Sequence, residues 1–211
     1  MSDRPVSATT LRGSFADAER AASRPAGSPL TDDATVDELA RAATAGDVEA
    51  IGRLYDALVG PIYRYVAVRV RRREDAEDLT QLVFERIVSA LPRYRQNGRP
   101  FAAWAFRIAR NAVIDHQRRL RPTEPLGVIA ESAGGEGVED RSLRAEARRE
   151  LLAAIRELTP DQQEALALRY AAGLSAEEAA RVMGRQAGTI RGLTFRAIES
   201  LRRHMRREAP R

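Results

Sequence analysis

Two stretches of this 211-residue sequence concentrate cationic side chains with almost no acid among them. Between Arg93 and Arg121 stand eight arginines and a single acid, Asp115; between Arg181 and Arg207 stand eight more, with Glu199 alone. These 16 of the 35 basic residues keep company with 2 of the 30 acids, leaving 19 basic and 28 acidic residues in the rest of the chain. Two cationic patches on an otherwise acidic chain suit a polyanion held at two places, through phosphate contacts that release condensed counterions. A merely solvated helix face usually carries both signs. That every basic residue is arginine and none lysine adds nothing site-specific, because the bias runs through the whole chain and reflects coding composition rather than the arginine preference for phosphate.

The first patch interleaves Arg107, Arg110, Arg118 and Arg119 with Tyr94, Asn97, Trp104, Asn111 and His116. Basic grooves with stacking side chains grip single strands, and a flipped base is read on its pairing edge. Trp104 and Phe101 fall on the apolar side and read as core before stacking platform. Asp115, three and four residues ahead of Arg118 and Arg119, has the spacing of a helix-surface ion pair that steadies them. In the second patch a short helix, a turn around Gly184 and a longer arginine-bearing helix make the pattern of a helix-turn-helix, whose second helix enters the major groove. Thr189, Arg191, Thr194 and Arg196 are its candidate DNA contacts, and Gly188 permits a phosphate to approach the helix start.

Catalytic chemistry finds little support. The two histidines, His116 and His204, are far apart in sequence without metal-ligand spacing, and there is no cysteine for a disulfide, a thiolate zinc site or a redox switch. Asp75, Glu77 and Asp78 lack the glycine-turn spacing of a calcium loop. The expectation is a protein with no cofactor and no metal that is not an enzyme.

Helices must position both patches, since no period-two alternation competes with helical spacing. Residues 1–34, rich in Ala, Ser, Arg, Pro and Gly, read as a disordered leader. Order is expected from Thr35, where Thr35 and Glu38 form a capping-box pattern ahead of a short helix ending near Gly46. Asp47 then caps a long helix carrying Ile51, Leu54, Tyr55, Leu58, Ile62 and Val66, with Gly60 and Pro61 as a candidate kink. A third helix spans Glu74 to Leu91, burying Leu79, Val83, Phe84, Ile87 and Leu91 and exposing Asp75, Asp78, Gln81 and Glu85. Pro100 opens a fourth, running to about Leu120.

The Gly-, Pro- and Glu-rich stretch 122–141 is a linker and the clearest domain boundary. Beyond it, 142–207 reads as a second domain of four helices: Leu143 to Leu158; one capped by Thr159 with Gln162 and ending at Gly173; one capped by Ser175 with Glu178; and one from near Gly188 to Met205. Residues 208–211 are a tail. The fold class is all-α, with two small helical domains joined by a flexible linker. No apolar run reaches membrane-spanning length and no signal-peptide core is present, so the expected location is cytoplasmic, without membrane insertion.

These residues carry a resemblance. Asp75-Ala76-Glu77-Asp78-Leu79-Thr80-Gln81 with Phe84 resembles regions 2.1 to 2.2 of the extracytoplasmic-function (ECF) sigma factors of the sigma-70 family. Phe101 to Asn111, followed by Asp115, Arg118 and Arg119, resembles regions 2.3 and 2.4. Leu158, Pro160, Ser175, Glu178, Gly184, Gly188-Thr189-Ile190 and Arg196-Ala197 are similar to region 4. The resemblance covers about residues 40–207 in the family's order.

It implies that Asp75, Asp78, Gln81 and Glu85 dock on the clamp of the largest subunit of core RNA polymerase, with the flap of the second subunit a further contact. It implies that Tyr94, Asn97, Arg99, Arg107, Arg110, Asn111, His116, Arg118 and Arg119 capture the melted minus-ten element of promoter DNA. Arg185, Gln186, Gly188, Thr189, Arg191, Thr194 and Arg196 would read the minus-thirty-five element. An anti-sigma factor is an implied further partner. Leu82 departs from a frequent Glu, Gln186 from a capping Ser and Gly192 from a Ser, which bears on fine specificity. The alternative from another class is a free-standing helix-turn-helix regulator whose N-terminal domain dimerises or senses a signal.

Overall fold

The computed structural model describes residues 33–96, 98–119, 150–151 and 153–208. The leader up to residue 32, Asn97, the linker 122–141, the start of the helix expected from Leu143 and the last three residues lie outside the described residues. Among the described residues there is no strand. Helices α1 (Asp33–Thr44), α2 (Val48–Ala67), α3 (Arg73–Ala90) and α4 (Phe101–Arg119) make the N-terminal unit. Helical residues in 150–156 (α5), then α6 (Pro160–Leu166), α7 (Ala176–Met183) and α8 (Ala187–Glu208) make the C-terminal one.

Local chemistry sets most of the boundaries. Asp47 stands in an extended conformation and its carboxylate accepts the Ala50 N–H at 3.1 Å, which opens α2 as its sequence requires. Pro61 removes one backbone donor, yet α2 runs through it, because Leu58, Ile62, Tyr65 and Val66 are all wholly buried around it. Helix α1 already runs at Asp33, two residues ahead of the expected start, so Thr35 lies inside it rather than at its cap. Helix α3 ends at Ala90, where Leu91–Arg93 tighten into a 3₁₀ turn around Pro92. The start of α4 is capped from afar: the Phe101 N–H donates to Asp37 Oδ1 at 2.6 Å, and Gln96 Nε2 donates to the other oxygen at 3.3 Å.

In the C-terminal unit both expected capping boxes form, Thr159 with Gln162 and Ser175 with Glu178. The chain leaves α6 through a π-helical turn, Ala167–Ala171. Gly184 closes α7 in the left-handed region at φ +65°, where a side chain would be strained, and this sets the turn before α8. Because the Ser175 box satisfies two otherwise orphaned donors, Ser175→Ala should lower stability by about 1 to 2 kcal/mol, read as a shifted urea midpoint at unchanged slope.

The core of the N-terminal unit is built around aromatic pairs. Tyr65 meets Phe106 edge-on at 5.8 Å and Tyr55 lies 4.6 Å from Phe84, while Tyr94, Phe101 and Trp104 stand 4.9–5.1 Å apart. Helix α4 lies beside α7, and α2 beside the Ala167–Ala171 turn, so that one continuous apolar core runs through both units. Units this small bury a modest fraction of their surface alone, and docking adds to it.

Candidate polymerase and nucleic-acid interfaces

The acidic face of α3 stands as the amphipathic pattern requires, with apolar Leu79, Val83, Phe84 and Ile87 turned inward. Asp78 and Glu85 are exposed. Gln81 is half-buried and its amide donates to Glu85 Oε1 at 3.0 Å, one turn along. Asp75 is set apart from them: it lies 3.8 Å from His116 Nε2 on α4, with both side chains largely covered. Leu82 packs against the core and, with Glu85, Arg86, Arg93, Ile108 and Asn111, lines a shallow groove between α3 and α4. The departure at Leu82 therefore adds apolar surface at the edge of the acidic face.

The first cationic patch is partly as expected. Arg99, Arg107, Asn111, Arg118 and Arg119 are exposed. His116 is half-buried against Asp75, and Arg110 is half-buried with its Nε 3.6 Å from Glu164 Oε1. Tyr94 is only 9% exposed, packed against Phe101 and Trp104, and its hydroxyl sits 3.5 Å from the Arg99 carbonyl. Burial, with the Asp37 charge nearby, raises its phenol pKa. Asp115 also pairs differently, reaching across to Arg86 on α3 at 3.9 Å instead of along its own helix.

The second patch follows α8. Arg185, Gln186, Gly188, Thr189, Arg191 and Arg196 are exposed, and Gly188 has nothing within 4 Å of where a Cβ would stand. Thr194 is 7% exposed, and its hydroxyl donates back to the Ile190 carbonyl at 2.9 Å. The neighbouring Phe195, 66% exposed, occupies the position outward of it. Nothing in the helical spacing of polar residues singles Phe195 out. Gly192 has a positive use, since the Arg196 guanidinium lies back over it, 3.3 Å from where a Cβ would stand.

Two arginines of this patch are held by acids of the same unit, Arg185 by Asp161 at 3.0 Å and Arg191 by Glu177 at 2.7 Å. The hydrogen bond from Arg191 holds the Glu177 carboxyl below its ordinary pKa. Its pair is thus present at neutral pH and is lost as pH falls through that lowered value. Because the pair is exposed and screened, Glu177→Gln should raise affinity for duplex DNA only about twofold, measured by fluorescence anisotropy at low salt. No group of three or more His, Asp or Glu residues stands ready for a metal ion among the described residues, and none of their helices is long and apolar enough to cross a membrane.

Residues 54–123 match the family model of sigma-70 region 2, and residues 148–201 match that of sigma-70 region 4. The chain is 40% identical over 176 residues to the ECF RNA polymerase sigma factor BldN of Streptomyces coelicolor, covering 82% of this chain and 67% of that one. The chain belongs to the ECF sigma factors. It is also 32% identical over 176 residues to the ECF sigma factor SigD of Mycobacterium tuberculosis, covering 79% of this chain and 82% of that one.

Its fold is that of the solved structure of CnrH in complex with the cytosolic domain of CnrY, at a TM-score of 0.65 and 24% identity, over 83% of this chain and 99% of that one. In this sigma factor the region 2 match spans most of α2 with α3 and α4, and the region 4 match spans α5 to α7 and most of α8. Helix α1 precedes the matched residues, yet its Asp37 caps the start of α4 and so belongs to the working unit.

Proposed function

We propose that this sigma factor binds core RNA polymerase through the acidic face of α3, directs it to particular promoters through its two arginine patches, and promotes DNA opening at the downstream one. The observation that carries the reading is the occurrence of both sigma-70 regions in one chain, in the family's order, with exposed Asp78 and Glu85 on one face and exposed arginines on α4 and α8.

Charge complementarity at α3 sets register and speeds encounter with the polymerase clamp. The start of α8 enters the major groove of the minus-thirty-five element, where Arg191 and Arg196 face base edges and Gly188 admits a phosphate. Arg99, Arg107, Arg110, Asn111, Arg118 and Arg119 grip the backbone and unstacked bases of the minus-ten element. Each module is weak alone, and specificity arises when polymerase makes the second contact intramolecular. The chain supplies no catalytic group, since phosphodiester chemistry belongs to polymerase, and it works in the cytoplasm where polymerase and DNA meet. The flap of the second polymerase subunit is a further contact for the C-terminal unit. An anti-sigma factor is the third partner, occupying the polymerase-binding face.

Run-off transcription tests the reading. Purified core polymerase with the chain, on sheared genomic DNA of the source organism, should give discrete transcripts that neither component gives alone; the same products with and without the chain would overturn the assignment.

A further inference from the structure

The carboxylate of Asp37, on α1, is shared between two donors that bracket one loop. The Phe101 N–H, first of α4, donates to Oδ1 at 2.6 Å, and Gln96 Nε2, within the loop, donates to Oδ2 at 3.3 Å. The helix needs an acceptor from elsewhere because Pro100, in the capping position, has no side-chain oxygen to offer its orphan N–H groups. A cap alone would leave Gln96 untouched; the second bond ties the loop itself to α1. The described residues of this loop, 94–96 and 98–99, are fastened at further points. Tyr94 packs against Phe101 and Trp104 at 5.1 and 4.9 Å, and its hydroxyl lies 3.5 Å from the Arg99 carbonyl, across the base of the loop. The Arg95 guanidinium turns back to the Pro92 and Tyr94 carbonyls at 3.3 and 3.1 Å. Gly98 stands at φ +73°, where a side chain would be strained, and nothing lies within 4 Å of where a Cβ would be. Gly98 and Arg99 are thus left exposed on a loop that is otherwise tied down.

We infer that Asp37 is a positioning residue for minus-ten reading: it holds the loop 94–99 in the shape that accepts an unpaired base, and so sets how sharply the chain discriminates among minus-ten sequences. The inference rests on the function proposed above, which places that element against Arg99 and α4, and it adds a residue outside the region 2 match at 54–123. The physical reason is entropic. A loop that orders only as a base arrives loses binding free energy to its own ordering, whereas a loop already held does not. Arginine contacts to phosphate are indifferent to base identity and survive such loosening; contacts to a base edge need donors and acceptors in register. Freeing the loop therefore erases discrimination before it erases binding. Asp37 itself is no DNA contact, since it is an acid, half-buried, and both its oxygens already accept from the protein. Its effect passes through Gln96 and Phe101.

The test is run-off transcription with core polymerase and the full chain on one cognate promoter, and on copies with single-base changes in either the minus-ten or the minus-thirty-five element. Asp37→Ala should lower the ratio of cognate to minus-ten-substituted transcript about tenfold, the factor expected when the base-accepting loop falls from dominant to about one molecule in ten. The minus-thirty-five ratio should keep its parent value. Asp37→Asn, which keeps an oxygen for the Phe101 N–H and an amide for a turned Gln96, should restore the minus-ten ratio to within about twofold of the parent. The double variant Asp37→Ala with Gln96→Ala should lose no more discrimination than Asp37→Ala alone, because both remove the same tie.

A merely structural Asp37 gives another result: α4 frays, and transcription falls alike on every template with both ratios unchanged. That outcome in a variant shown folded by circular dichroism overturns the inference, as does an Asp37→Asn no better than Asp37→Ala, or a double variant whose losses add. If Asp37→Ala does not fold, Gln96→Ala, which leaves the α4 cap in place, is measured instead. It should lower the minus-ten ratio about threefold, within the range of one hydrogen bond, and an unchanged ratio overturns the inference. A parent chain that gives no discrete transcript overturns the proposed function instead; a parent that transcribes and discriminates while its folded variants match it overturns only the positioning role of Asp37.

Discussion

The double substitution Asp78→Arg with Gln81→Ala should abolish co-purification with core polymerase and reduce run-off transcription at least a hundredfold, with helical circular dichroism and the unfolding midpoint unchanged. Asp78 is exposed, and the side-chain hydrogen bond of Gln81 is the exposed turn-to-turn one to Glu85, so folding loses little more than the small contribution of a surface pair. Docking loses more. An arginine where polymerase expects an acid places like charges against one another, a cost of several kcal/mol at an interface, and each 1.4 kcal/mol is about tenfold in affinity. Retained co-purification with a folded double variant would show that this face is simply solvated. Asp75 makes a poorer probe, because its removal also leaves His116 without its partner.

The second large effect is expected on α8. Arg191→Ala with Arg196→Ala should lower transcription from a cognate promoter about a hundredfold while leaving polymerase binding intact. A bidentate base contact contributes roughly 1 to 3 kcal/mol of discrimination, and two such losses a turn or more apart on one helix combine nearly additively. Removing Arg191 carries an added penalty, since it leaves the Glu177 carboxylate unpaired beside the phosphates. The salt dependence should weaken along with affinity, by about one unit of logarithmic slope for each phosphate that is no longer neutralised. Equal transcription by parent and variant would remove α8 as the reading helix. Thr194→Ala should behave differently, costing stability rather than promoter choice, because its hydroxyl is buried against its own helix.

What is legible in the sequence is local. The caps Asp47, Thr159 and Ser175 and the stop at Gly184 are set by residues three or four apart, and each appears where the pattern places it. The inward faces of α2 and α3 follow the same periodicity. What is not legible depends on residues that meet only after folding. Asp37 caps α4 from 64 residues away, and Tyr65 reaches Glu164 across 99. By sequence Glu164 is one more surface acid after a helix cap; only the docking of two units makes it a buried hub.

Residue type alone points Tyr94 and Thr194 outward, and side-chain packing overrides it: an aromatic cluster claims one and a backbone carbonyl the other. Asp115 has arginines at the right spacing on its own helix, but the packing of α3 against α4 turns it to Arg86. The resemblance to ECF sigma factors rests on runs of sequence rather than on any of these contacts.

The most direct measurement is footprinting at one mapped start site, with permanganate to report unpaired thymines, using core polymerase alone, the chain alone and both together. Two separated protected stretches, upstream and downstream, with reactive thymines in the downstream one, are expected only when both components are present. The same protection by the chain alone, or no unpaired thymines with the complete mixture, would contradict this expectation.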